Sequence, residues 1–115
     1  MILIIRLALD NSRIYPDLGP DEEITDEALA VHGVAFRDAG GWIFLTNQHV
    51  RFKSHRFSTR KRKLAFPLSD IAQVSRPASR RGRKQLFVHL KTGEVEQFTV
   101  EDAEDWESSI QESLP

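Results

Sequence analysis

The chain contains no cysteine, which excludes disulfides, thiolate nucleophiles and cysteine-ligated zinc and fits an intracellular setting. It has no long apolar run either. The most apolar stretch is the start, residues 1–9, Met-Ile-Leu-Ile-Ile-Arg-Leu-Ala-Leu. A membrane-spanning helix needs roughly 20 apolar residues, so this segment does not span. A secretory signal carries its basic residues ahead of the apolar run and small residues after it. Here Arg6 sits inside the run and Asp10-Asn11-Ser12 follows. Also missing are a nucleophile elbow, a glycine-rich phosphate loop and a metal-binding helix motif. The residues give no support to catalysis, and the chain reads as a non-enzyme without a cofactor.

What is present is one domain's worth of chain, 115 residues with 40% hydrophobic and 29% charged side chains. The net charge of −1 conceals a strong segregation. Residues 1–50 carry eight acids against Arg6, Arg13 and Arg37. Residues 51–91 carry thirteen Lys/Arg against Asp70 alone, and residues 92–115 carry eight acids with no Lys or Arg. Such a distribution can present a positive face to an anionic partner. The alternative is that acidic and basic segments lie side by side and neutralise each other.

Residues 1–9 are rich in β-branched and aliphatic side chains and read as an extra strand, paired within the domain or across a homodimer. Residues 10–27, with Pro16, Gly19, Pro20 and Asp21-Glu22-Glu23, read as an acidic loop. Alternation from Ala28 to Arg37 predicts the first regular strand, and Asp38-Ala39-Gly40-Gly41 a turn. Strands follow at Trp42–Thr46, His49–Lys53 and Lys63–Leu68, with Asn47-Gln48 as a hairpin turn. Further strands are predicted at Ile71–Arg76, with Ile71 and Gln73 on one side, at Leu86–Lys91 and at Glu94–Val100. Turns every 8–12 residues indicate a sandwich or small barrel. Near the end the period changes. Ala103, Trp106, Ile110 and Leu114 form one helical stripe behind an Asp102 N-cap, and Trp106 is placed to stopper the barrel.

Several short motifs, taken in order, resemble the GRAM domains, especially their small bacterial pleckstrin-homology-like (PH-like) members. They are Leu45-Thr46-Asn47, Phe52, His55-Arg56-Phe57, Pro67-Leu68-Ser69-Asp70-Ile71, and Trp106 with Ile110. The resemblance covers about residues 28–114, and His49 stands where the family usually has Arg. It implies a mainly β fold, a PH-like barrel of about seven antiparallel strands capped by one C-terminal amphipathic helix. On that basis residues 28–115 form the domain and residues 1–27 an extension. The resemblance also implies a lipid- or protein-binding module.

The sharpest chemical signal is basic. Arg51 and Lys53 lie on one strand; Arg56, Arg60, Lys61, Arg62 and Lys63 follow in a connection; Arg80, Arg81, Arg83 and Lys84 fall two connections later. In an up-and-down meander alternate connections emerge at the same end, so both clusters are expected to crown one rim. Such a rim suits an anionic phospholipid or inositol phosphate at a membrane face, each charge contributing about 1 kcal/mol. Arg contributes bidentate contacts and Lys a point charge, and Phe57 adds a group able to insert. Many phosphoinositide-binding PH domains carry basic residues around the first hairpin, where this chain has Asp38-Ala39-Gly40-Gly41. Two other partner classes compete for the assignment. Arg81-Gly82-Arg83 resembles a minor-groove hook, but the usual proline and a base-stacking stripe are missing, so nucleic acid is disfavoured. A protein partner or homodimer through residues 1–9 is the second alternative. The four histidines (His32, His49, His55, His89) are too scattered to predict a metal site.

Overall fold

The computed structural model describes residues 16–34, 37–56, 58, 60–78 and 84–115. The apolar start, Phe57 and the Arg80–Arg83 cluster lie outside the described residues. Among the described residues seven strands run in chain order: β1 (Ile24–His32), β2 (Ala39–Thr46), β3 (His49–Ser54), β4 (Lys63–Pro67), β5 (Ile71–Ser75), β6 (Gln85–Leu90) and β7 (Val95–Val100). The helix α1 (Ala103–Ser113) follows β7. The strands form a single sheet in the order β4-β3-β2-β1-β7-β6-β5, every neighbouring pair antiparallel. This is the PH-like architecture.

Its core forms where strand alternation turns apolar residues inward. Ile43, Leu45, Val50, Phe52, Leu86, Val88, Phe98 and Val100 are buried there, with Ala103, Trp106 and Ile110 from the helical stripe. Trp106 is only 6% exposed, so the helix is fastened by the residue expected to fasten it. Helix α1 lies against β5 and β6. The Gln111 side chain accepts the backbone N–H of Val74 on edge strand β5 at 3.3 Å, and Arg76 holds Glu107 at 3.1 Å. Asp102 is the N-cap residue but makes no side-chain capping bond.

Three local expectations are corrected. The first strand occupies Ile24–His32 rather than 28–37. Its polar beginning is held by pairing to β2, with an irregularity between Ile24 and Asp26, and by Thr25 Oγ1 donating to Leu45 O. It ends where Gly33 adopts φ +95°, a left-handed value open to glycine. Ala39, Gly40 and Gly41 belong to β2 instead of a turn. A Cβ on Gly41 would stand 2.2 Å from Lys53 O, so the close approach of β3 requires glycine there. In β5, a register shift between Ile71 and Gln73 breaks the alternation, so Val74 joins Ile71 in the core while Gln73 is exposed.

Candidate functional site

The β3 strand ends at Ser54, and the chain returns at Lys63 to open β4. The intervening connection is held by its own polar groups. Ser54 N–H donates to Arg62 O at 2.9 Å, and Arg62 N–H donates to Ser54 Oγ at 2.9 Å, closing the neck of the loop. Lys61 Nζ reaches back to the carbonyls of His55 and Arg56. Arg62 crosses to the end of β1, donating to His32 O at 3.0 Å and His32 Nδ1 at 2.9 Å, and to Arg37 O. A guanidinium only donates, so His32 Nδ1 accepts and its Nε2–H faces Glu96 Oε1 at 2.6 Å. The His32 ring also packs beside Phe52 and Phe98, at centroid distances of 5.6 and 5.0 Å.

This braced connection borders an open depression of about 490 Å³ whose lining includes Lys53, His55, Arg56, Lys61, Arg62 and Lys63. Five of these are cationic side chains, gathered within eleven positions of sequence. Arg60 is exposed beside them. On the rim, Lys63 pairs with Asp17. Lys63's hydrogen bond and charge, reinforced by the charges of Lys53 and Arg51, pull the Asp17 carboxyl below its ordinary value. Lys and Arg side chains there are donors only, of the kind that match the oxygen acceptors of an anion.

Arg51 belongs to a different structure. Its Nε donates to Glu22 Oε2 at 2.8 Å and its NH2 to Glu22 Oε1 at 2.7 Å, a bidentate pair. The Glu22 side chain is fully buried. It also receives Thr46 Oγ1–H at 2.6 Å, Gly19 N–H at 2.8 Å and His49 Nδ1 at 3.0 Å. The Arg51 hydrogen bond, joined by those of Gly19, Thr46 and His49, holds the Glu22 carboxyl well below the usual carboxylate range despite burial, which opposes it. Around this pair the segment 19–23 is latched to the β2–β3 turn. Asn47 accepts Glu23 N–H and donates to Asp21 O, at 2.8 and 2.9 Å, while Gln48 donates to Pro20 O at 2.9 Å. Sequence reasoning missed Glu22 as a structural residue.

The two basic connections leave different strands of the sheet. Strands β3 and β6 are separated by four antiparallel steps and therefore point the same way. The loop after β3 and the loop before β6 leave opposite strand ends. The common rim turns on Arg80, Arg81 and Arg83, which lie outside the described residues; β4 and β5 are not hairpin neighbours, and the chain crosses between the two edges of the sheet through Leu68–Asp70. Lys84, the described end of the second cluster, pairs with Glu101 at 2.9 Å. Among the described residues, no group of three or more His, Cys, Asp or Glu could hold a metal ion. No helix there is long and apolar enough to cross a membrane.

Comparison with solved structures bears on the fold alone. The C-terminal domain of an unknown protein from Leishmania infantum superposes with a TM-score of 0.72 at 11% identity, covering 98% of this chain and 96% of that one. The Vps36 N-terminal PH domain gives 0.68 at 19% identity, covering 85% and 83%. The hSac2 domain from human phosphoinositide phosphatase Sac2 gives 0.55 at 15%, covering 97% and 79%. No curated protein matches by sequence. Residues 11–111 match the GRAM domain, nearly the whole chain and with the fold just described, so this protein belongs to the GRAM domain family.

Proposed function

We propose that the chain is a non-enzymatic binding module whose β3–β4 depression receives the phosphate groups of an anionic membrane lipid or inositol phosphate. In this reading it works at the cytoplasmic face of a membrane, held there peripherally. The supporting observation is the convergence of Lys53, Arg56, Lys61, Arg62 and Lys63 on one concave surface. The loop that carries them is tied to β1 through Arg62 and His32, so little ordering remains to be done when an anion arrives. Arg60 is the next cation within reach. Arg51 is left out, because both of its donating edges are engaged by Glu22. Lys84 belongs to the other connection and pairs with Glu101, while Arg80, Arg81 and Arg83 lie outside the described residues.

Sedimentation with phosphatidylcholine vesicles, with and without phosphatidylinositol phosphate, tests this reading. Binding is expected only to the anionic vesicles and should weaken as salt rises. Equal partitioning to both vesicles at low salt overturns it. A duplex DNA arm separates lipid from nucleic acid, since a tighter, steeply salt-dependent shift with DNA would reassign the basic surface.

A further inference from the structure

The outer face of the sheet, opposite the core, can be read from the pairing register. One row runs from His55, whose N–H bonds Gly40 O at 3.2 Å, through Gly40 and Val31 to Thr99. The row beside it runs from Lys53 through Trp42 to Leu29. Leu29 is 63% exposed and Val34, just past β1, is 54% exposed. Leu29 borders a second open groove of about 490 Å³ that runs along Val31, Gly40, Thr99 and Val100, with Lys84 and Glu101 at its far end. Its lining is mostly aliphatic or backbone. Gly40 gives it depth, since a Cβ there would stand 3.2 Å from His55 Nε2.

His55 lines both this groove and the cationic depression. A charged pocket and an apolar trough therefore meet at one side chain. From His55 to Thr99 the trough crosses three strand spacings, roughly 14 Å. We infer that the groove seats an aliphatic chain of the same lipid whose phosphate enters the depression, so that the ligand is a single anionic lipid molecule rather than a headgroup alone. The inference rests on the proposed phosphate site. Among the described residues the charge layout favours this occupant: cations gather at the His55 end, and at the other end Lys84 is matched by Glu101. An amphiphile with one anionic end matches that order.

Calorimetric titration with glycerol 3-phosphate and with lauroyl lysophosphatidate below its micelle concentration separates the two claims. Burial of only two methylenes makes the lauroyl compound roughly tenfold tighter. The double variant Leu29→Asn, Val31→Thr adds no charge and alters residues outside the core. It should bring lauroyl lysophosphatidate down to the affinity of glycerol 3-phosphate, leave glycerol 3-phosphate unchanged and keep the thermal transition cooperative. If both compounds bind the native chain equally, the groove assignment is overturned and the phosphate site stands. If the lauroyl compound binds more tightly but the variant makes no difference, the chain lies elsewhere and the assignment is overturned again. If neither compound binds and anionic vesicles fail as well, the phosphate site falls and takes the groove with it.

Discussion

At the scale of single residues, the decisive side chain is Glu22. A carboxylate with no exposed side-chain surface survives burial only when its lone pairs are occupied, and here Arg51, Thr46, Gly19 and His49 occupy them. Glu22→Gln leaves Arg51 without its countercharge, so a loss of about 3–5 kcal/mol in denaturant unfolding is expected. The pH dependence follows from the same pair. The folded carboxyl lies below the unfolded value of about 4.3, so the unfolded chain binds the proton first. The stabilisation is complete above roughly pH 5 and declines as the pH falls toward the depressed folded value. Unfolding midpoints measured from pH 7 to pH 3 should fall in the native protein, and Glu22→Gln should flatten that slope. An unchanged slope would mean that other carboxylates carry the acid sensitivity. Nothing local marks Glu22 in the sequence. It sits between Asp21 and Glu23 in what reads as a solvated acidic loop, and its partner is 29 positions away.

At the scale of elements, what was legible in the sequence is whatever local chemistry decides. The Thr46-Asn47-Gln48-His49 turn was legible because its side chains close it on themselves, Thr46 Oγ1 accepting His49 N–H at 2.8 Å. Helix α1 was legible because its apolar stripe and the core it meets share one period. Strand β1 began four residues before the reading because its first residues, Ile24-Thr25-Asp26-Glu27, are strand only through pairing to β2. Glycines 40 and 41 suggested a turn, yet Gly41 is needed for close strand approach. Two stability predictions belong here. Trp106→Ala empties the contact between α1 and the sheet and should cost about 3–5 kcal/mol, measured by chemical denaturation. Gly41→Ala drives a methyl group against Lys53 O and should cost about 1–3 kcal/mol. A neutral Gly41→Ala would show that β3 can move away freely, and the strand-approach account would be wrong.

At the scale of the whole molecule, the segregated charge resolves, among the described residues, into local pairs and one cationic cluster. Acids ahead of β1 meet the cations of β3 and β4, as Glu22 meets Arg51 and Asp17 meets Lys63. Acids of the closing segment meet cations around the β5–β6 connection, as Glu107 meets Arg76 and Glu101 meets Lys84. At the end of β3, Arg56, Lys61 and Arg62 join Lys53 and Lys63 around a single depression. Sequence counting identified the basic segment but not its division, because the division depends on β4 and β5 lying at opposite edges of the sheet. Charge reversal separates the two parts. Each basic group near an anionic surface contributes about 1 kcal/mol, so Arg56→Glu, which removes one charge and adds its opposite, should weaken anionic-vesicle binding roughly thirtyfold. Lys84→Glu acts across four strand spacings, roughly 19 Å of sheet, beyond the screening length of about 8 Å at physiological salt. It should change binding by less than about twofold. Equal losses from the two variants, each folded by circular dichroism, would mean that both connections face the membrane together, and the one-ended site would have to be abandoned.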